Sequence, residues 1–209
     1  MSVSKTARNS ERRDGFLFLG NHLALDFLNT YPVQNGEAVE LLPDFEALLR
    51  WFQAAGLLSS RVAASLRRQW GESARAQHVV KAVRQLRERL RKEVANWERG
   101  GAVDRAAIDE LNHLMAEHPM FTRLKAAGRA STMELWFDPR RPEDFLAPLA
   151  HSAATLFSDV DCNRVRKCAQ CVLHFFDTSK KGTRRWCSMQ LCGNRLKVAA
   201  YASRQRTSD

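Results

Sequence analysis

The sequence lacks the signals that define several large classes of protein. It has no run of about 18 apolar residues, which excludes a transmembrane helix. The opening stretch MSVSKTARNSERRDG is polar and charged with no apolar segment behind it, so it is not a secretory signal. A glycine-rich phosphate loop, an H-E-x-x-H motif and a nucleophile elbow are also missing, so we expect no enzymatic activity. These absences predict a cytoplasmic protein that is not an enzyme.

Acidic residues are scarce in one part of the chain. Residues 162–209 contain 11 Lys and Arg residues against two Asp, whereas residues 1–161 contain 22 basic and 21 acidic residues. Almost all of the net charge of +10 therefore belongs to the C-terminal segment. This asymmetry indicates a polyanionic partner for that segment. A basic tail that only improves solubility is the alternative.

The patterning predicts a mainly helical domain with one β-hairpin over residues 15–160. We expect residues 1–14 to be disordered. Asp44, Asp104 and either Ser59 or Ser60 precede amphipathic runs and are predicted helix caps. Apolar residues recur at three- and four-residue steps over about 73–97, which predicts a long helix whose interleaved Arg and Glu residues are typical of a solvated face. The segment 121–137, with a glycine turn, predicts the hairpin.

Four of the five cysteines form two close pairs in the basic segment. Cys168 and Cys171 are separated by two residues, and Cys187 and Cys192 by four. Cytoplasmic cysteines stay reduced, and two such pairs are typical of a structural Zn²⁺ site with four thiolate ligands and no open position for catalysis. Four unrelated buried cysteines and a redox C-x-x-C pair are the alternatives. Cys162 is the spare thiol. Alternatively, Cys162 or His174 replaces one of the four ligands.

The residues between the two pairs predict a zinc-bound hairpin. The run 172–177 has the composition of a strand, and 178–183 is expected to turn the chain back toward 184–187. A helical pattern follows Cys192. Knuckle, hairpin and helix together predict a treble-clef or zinc-ribbon-like finger over residues 161–205, in which His174 packs within the hairpin.

Several of these segments resemble known families. The runs Arg184–Met189 and Cys192–Arg195, with Phe176–Ser179 upstream, resemble the signature of the CGNR zinc-finger family. The segment Gly20–Thr30 is similar to the opening motif of the ABATE domain, which commonly precedes that finger. Many relatives have a longer gap between the first two cysteines. The resemblance implies a bacterial, stress-related transcription regulator with a DNA-binding finger and an N-terminal domain that senses a small-molecule effector.

The finger offers candidates for contact with DNA. Basic side chains would bind phosphates, and the helix after Cys192 is the element best able to enter a major groove. Its Asn194 and Arg195 suit adenine and guanine edges. Alternatively, Asn194 only shapes the turn beside the metal, and Arg195 hydrogen-bonds the hairpin, for example at Asp177. The other candidates are Lys180, Lys181, Arg184, Arg185, Lys197, Arg204 and Arg206. Reading a palindrome would need a homodimer, and no coiled-coil seam is evident.

Two other functions remain open. RNA binding would be favoured by exposed aromatic residues, for which Phe175, Phe176 and Trp186 are candidates. A protein-interaction or ligand-sensing module without a nucleic-acid role is the other possibility. Polar residues of the N-terminal motif could line an effector pocket or could instead cap helix ends; they are Asn21, His22, Asp26, Asn29 and Thr30.

Overall fold

The computed structural model of the protein describes residues 11–34 and 36–193. This part of the chain is mainly α with small β-hairpins, as the sequence predicts. Its α-helices are α1 Leu23–Leu28, α2 Phe45–Ala54, α3 Ser60–Trp70, α4 Ala74–Glu98, α5 Arg105–Glu117 and α6 Leu146–Asp159. Its antiparallel hairpins are β1 Arg12–Arg13 with β2 Phe16–Leu17, β3 Val33–Gln34 with β4 Glu37–Ala38, β5 Phe121–Ala127 with β6 Ala130–Trp136, and β7 Val165–Lys167 with β8 His174–Phe176.

The helices begin where capping side chains satisfy free backbone N–H groups. Asp44 accepts from the N–H of Ala47 at the start of α2, and Ser59 accepts from Val62 at the start of α3. Asp104 does the same for α5. The predicted caps are therefore confirmed, and so are the long helix α4 and the hairpin β5–β6.

The short helix α1 lies at the centre of the N-terminal domain. Five of its six residues are buried, and the helix contacts α4, α6 and β8. Trp51 and Phe52 of α2 are fully buried beside it, and the Trp51 ring packs against Phe27 with centroids 5.9 Å apart. Burial of such large aromatic side chains supplies most of the driving force for folding. The core thus surrounds the segment that carries the N-terminal motif.

One face of α4 differs from the predicted solvated face. Arg87 is only 2% exposed, and its guanidinium donates to the Glu40 carboxylate at 2.6 Å and to the Thr30 hydroxyl at 3.0 Å. Arg84 and Arg91 donate to main-chain carbonyls of the segment that precedes α2 and of α1. The prediction was wrong here because charge spacing along a helix cannot reveal an ion-pair partner 47 residues away.

The expected disorder of residues 1–14 also needs correction where the structure describes it. Glu11–Asp14 are ordered: β1 pairs with β2, and Asp14 forms an ion pair with Arg50 at 2.7 Å. The Glu11 carboxylate accepts a hydrogen bond from the Ser188 hydroxyl at 2.7 Å. Polar composition suggested disorder, but these residues are fixed by partners distant in sequence. Residues 1–10 lie outside the described part.

The strand pairing of the C-terminal module differs from the predicted one. β8 pairs with β7, which precedes the first cysteine pair, and the segment 184–187 forms no strand. Cys168 N–H donates to the carbonyl of Leu173 at 2.8 Å, so the first cysteine pair lies in the turn of the β7–β8 hairpin. The chain cannot pair across 178–183 because the buried Asp177 closes that segment into a loop.

The C-terminal module packs directly on the N-terminal motif. The Asn29 side chain donates to the carbonyl of His174 and accepts from its N–H, both at 2.9 Å. Phe176 N–H donates to the Gly20 carbonyl at 2.8 Å, and the Asn21 side chain donates to the Phe176 carbonyl at 2.9 Å. β8 is therefore bonded to β7 on one edge and to the motif on the other.

In the described residues, no helix is long and apolar enough to span a membrane.

Asp26 fixes the loop from which this contact is made. Its carboxylate accepts a hydrogen bond from the Gly20 N–H at 2.7 Å. Gly20 is required because a Cβ there would lie 2.7 Å from the Leu25 Cβ. Burial raises the pKa of Asp26 to about 7, although the Gly20 hydrogen bond and the positive charge of Arg13 oppose the increase.

Asp26→Asn should therefore gain stability relative to the wild type as the pH rises. The folded-state pKa of Asp26 lies above its unfolded value of 3.8, so its contribution to stability is complete below that value and is lost as the pH approaches about 7. We expect the difference in the free energy of unfolding between the variant and the wild type to change by about 2 to 3 kcal/mol from pH 5 to pH 8. Urea denaturation at fixed zinc concentration measures it. The exposed-site control Asp109→Asn should show a nearly constant difference, and a constant difference for Asp26→Asn would contradict the burial argument.

Candidate metal centre and nucleic-acid surface

Four cysteine thiols converge at one point of the C-terminal module. The Sγ atoms of Cys168, Cys171, Cys187 and Cys192 all lie within 4.8 Å of one another. Three of these pairs, Cys171–Cys187, Cys187–Cys192 and Cys171–Cys192, are separated by 3.7 Å. Sulfurs at the corners of a tetrahedron with metal–sulfur bonds of about 2.3 Å are roughly 3.8 Å apart. The group therefore has the spacing of a tetrahedral four-thiolate metal site.

Local backbone geometry presents the second cysteine pair. Cys187 and Cys192 lie at the two ends of a tight segment that includes the π-helical turn Met189–Gly193. The buried Ser188 organises this turn, because its hydroxyl accepts from the N–H groups of residues 190 and 191 and donates to Glu11. Its carbonyl accepts from the Cys192 N–H. The β1 region of the N-terminal domain thus also supports the metal-binding turn.

The electrostatics of the four thiols favour a bound cation. Hydrogen bonds from the neighbouring thiols, Cys187 first, lower the pKa of Cys171 to about 5. The same contact raises the pKa of the Cys187 thiol, and burial together with the charge of Cys171 raises that of Cys192 to about 12. Four thiolates cannot coexist here without a compensating charge. A divalent ion that prefers sulfur would supply that charge.

The two alternative ligands considered from the sequence lie outside the group. Cys162 is half-exposed in the turn before β7 and does not belong to the four-thiol group. His174 is buried on β8 and also does not belong to it. The donor set is thus four sulfurs, which leaves no coordination position for a substrate or water.

Asp177 builds a loop that displays basic side chains. It is fully buried, and its carboxylate accepts from the N–H of Ser179 at 2.9 Å and from the N–H of Arg184 at 2.8 Å. Burial raises the pKa of this carboxyl group, but the hydrogen bonds outweigh the effect, and its pKa lies below the ordinary value. Lys180 and Lys181 are exposed at the tip of the loop. This geometry leaves both ammonium groups available to a polyanion.

The two arginines before Cys187 have different surroundings. Arg185 is exposed, with its guanidinium 5.8 Å from the centre of the Trp186 ring. Arg184 is half-buried: it donates to the Cys187 carbonyl at 2.6 Å and lies over the Phe175 ring. Arg184 therefore holds the metal-binding backbone in place, whereas Arg185 faces solvent. The remaining nucleic-acid candidates, Asn194, Arg195, Lys197, Arg204 and Arg206, and the helix expected after Cys192 lie outside the described residues.

The candidate ligand-binding residues of the N-terminal motif are not gathered around one pocket. Asn21 and Asn29 bind the main chain of β8, and Asp26 binds the Gly20 loop. His22 caps α1 by accepting from the Ala24 N–H, and it lines a small separate cavity beside α6. All four side chains are thus engaged by main-chain groups.

The sequence did not predict two residues that support the chain beside the cysteines. Glu98 at the end of α4 accepts from the Lys167 N–H beside the first cysteine, and Glu11 accepts from Ser188 beside the third. Both carboxylates lie far from the cysteines in sequence, and no spacing rule relates them. A carboxylate at the end of a helix is too common a feature to have indicated either contact.

Comparison with known families agrees with the architecture. The ABATE family model, described as "Putative stress-induced transcription regulator", matches residues 21–160. The CGNR zinc finger model matches residues 164–205, which include all four clustered cysteines. A search of curated proteins found no match. The ABATE match covers more than half of the chain. The chain therefore belongs to the ABATE family, and it carries a C-terminal CGNR zinc finger.

Proposed function

We propose that the protein is a non-enzymatic, zinc-containing transcription regulator that binds DNA in the bacterial cytoplasm. Its finger provides the DNA-binding surface, and a small ligand bound by the N-terminal domain controls it. The observation that carries the proposal is the concentration of positive charge on a module built around four thiols. The family descriptions support the regulatory role.

Zinc is the metal that best suits the donor set. Four thiolate positions with sulfur spacings of 3.7 Å suit structural Zn²⁺ and leave no open coordination position for a water or a substrate. The apolar cluster around the cysteines is small, with Leu19, Leu173 and Phe175 as its buried members apart from the cysteines. A core of this size needs the metal for part of its folding free energy.

The exposed basic side chains of the finger would bind the phosphates of DNA. Lys180, Lys181 and Arg185 reach solvent beside one another in sequence, and the buried Asp177 fixes the loop between them. Such side chains bind phosphates with little dependence on base sequence. The C-terminal helix expected from the sequence would then supply the base contacts.

RNA binding receives less support from the aromatic residues. Phe175 is fully buried, Phe176 packs against the core of the N-terminal domain, and Trp186 packs against the cysteine cluster. Phe175 has no face left for an unpaired base, and Phe176 and Trp186 offer only part of theirs. Competition between duplex DNA and a structured RNA of equal charge tests the choice directly.

The zinc content of the protein tests the assignment of the four ligands. The purified protein should contain about one zinc ion per chain, and Cys187→Ser should lose most of it because three thiolates leave the tetrahedron incomplete. Cys162→Ser is the matched control and should keep the full zinc content, since Cys162 lies outside the cluster. Elemental analysis by mass spectrometry measures both. Equal zinc loss in the two variants would contradict the assignment of the ligands.

The salt dependence of DNA binding tests the basic surface of the finger. Replacing Lys180, Lys181 and Arg185 together by Gln should make the plot of log K against log salt less steep. The magnitude of its negative slope should fall by up to about 3, because each lost phosphate contact removes about 0.9. Fluorescence anisotropy with duplex DNA at several salt concentrations measures the slope.

A charge-matched control uses exposed basic residues of the N-terminal domain. The triple variant Arg61→Gln/Arg68→Gln/Lys92→Gln removes the same charge from α3 and α4. It should change the slope by less than about 1, which is the effect of a single contact. Equal effects of the two triple variants would show that binding depends on net charge alone and would reject the finger surface.

A further inference from the structure

A cavity of about 690 Å³ lies between the N-terminal domain and the finger. One wall consists of α4 and the β3–β4 hairpin, and the other of residues beside the first cysteine pair. Sites for small molecules usually have volumes of about 300 to 1,000 Å³ and often lie between domains. The cavity therefore has the size and the position of a ligand site.

The interior of the cavity is largely apolar. Tyr31, Val33 and Ala38 contribute from the β3–β4 region, Ala95 from α4 and Val172 from the finger. An apolar lining of this kind binds hydrocarbon or aromatic groups through the hydrophobic effect. The body of a suitable ligand is thus apolar.

The charged residues of the cavity leave an excess of positive charge. Glu88 is neutralised by ion pairs with Arg87 and Arg91. Glu98 accepts from the Lys167 N–H and is close to its ammonium group. Within the part of the chain that the structure describes, the exposed Arg99 side chain has no hydrogen bond or ion pair. One negative group of a ligand would therefore complement the rim.

His174 is a buried polar group of the same cavity whose ring nitrogens make no hydrogen bond within the described residues. It is 3% exposed, Nε2 has the Glu98 carboxylate as a charged neighbour at 3.6 Å, and Nδ1 has no hydrogen-bond partner among those residues. An unsatisfied buried polar group destabilises a protein by about 1 to 3 kcal/mol. Such groups are rare unless a water or a ligand satisfies them. The imidazole N–H can donate a hydrogen bond to a carboxylate oxygen of a ligand.

We propose that this cavity binds a small organic carboxylate with an apolar body. The apolar part lies between Tyr31 and Val172, and the carboxylate faces Arg99 and Lys167 at the rim, with His174 as a further polar contact. The role of the cavity as the place where a ligand controls the finger rests on the proposed function. The binding itself requires no nucleic acid.

The position of the cavity explains how binding reaches the finger. Lys167 and Val172 are chain neighbours of Cys168 and Cys171, whereas Ala95 and Arg99 belong to α4. A molecule that contacts both walls favours the packed arrangement of the two parts over any arrangement that separates them. The ligand and a DNA partner that prefers one arrangement are therefore coupled, and each changes the affinity of the other equally.

The test uses benzoate, 3-phenylpropionate and 4-phenylbutyrate with the zinc-loaded full chain. The corresponding primary amides have nearly the same shape without the charge. Isothermal titration calorimetry measures affinity, and methyl NMR signals of Ala95 and Val172 report the location. We expect at least one carboxylate to bind with a Kd below 1 mM, about tenfold more tightly than its amide, and to shift both methyl signals.

The variants remove the positive rim without touching the cysteines. Arg99→Gln/Lys167→Gln should weaken carboxylate binding about tenfold and leave amide binding unchanged, because only the charge-assisted contacts are lost. Arg61→Gln/Lys92→Gln is the matched control from the exposed faces of α3 and α4 and should bind as the wild type does.

Three results would overturn the proposal. They are no binding by any of the three carboxylates, equal affinity for carboxylates and amides, and methyl shifts away from Ala95 and Val172. Because these measurements contain no DNA, their failure leaves the proposed DNA-binding function standing. Conversely, carboxylate binding to a protein that fails to bind DNA would support the cavity and reject the regulator.

Discussion

The Asn29 side chain bonds to both the N–H and the carbonyl of His174, and this paired contact joins the finger to the rest of the protein. A buried amide can match a strand edge in this way because it carries one donor and one acceptor in the spacing of a peptide group. Gly20 and Asn21 extend the contact to Phe176. The N-terminal motif thus takes the place of a neighbouring strand for β8, so both edges of a very short strand are satisfied.

The metal-binding group depends on this contact as well as on its own cysteines. β8 follows the first cysteine pair directly, and Leu19, which precedes the motif, is buried against Cys168 and Phe175. At the second pair, Glu11 holds Ser188. Both halves of the four-thiol group are therefore supported by residues near the N-terminus. This arrangement explains how a finger with so small an apolar cluster is held in a fixed position.

The sequence was sufficient for features that depend on local chemistry. Capping by Asp44 and Ser59 follows from side-chain hydrogen bonds within one turn, and the grouping of the cysteines follows from ligand spacing. The turn of the β5–β6 hairpin requires a residue with positive φ, and Gly128 has a φ of 66°. Each of these predictions concerns residues close together in the chain or residues that share one metal.

Features that depend on distant partners could not be predicted. Arg87 resembled a solvated residue because its partner Glu40 lies on another segment. The sequence predicted that β8 pairs with the segment that follows it, whereas its partner β7 precedes it. The pairing was missed because β7 is only three residues long and carries no clear pattern. Asn29 resembled a pocket residue or a cap, and its partner lies 145 residues away. The sequence offers only an asparagine without a clear local partner. Such an asparagine does not identify β8 as the strand to which it bonds.

The N-terminal motif holds the finger through Asn29. Hydrogen–deuterium exchange of zinc-loaded Asn29→Ala, compared with the exposed-site control Asn112→Ala, measures this contact. We expect amides in peptides spanning residues 172–177 to exchange about tenfold faster in Asn29→Ala, with α2 and α4 unchanged, because two hydrogen bonds to β8 are lost. Exchange in 172–177 at the rate of the control would show that Asn29 does not hold the finger.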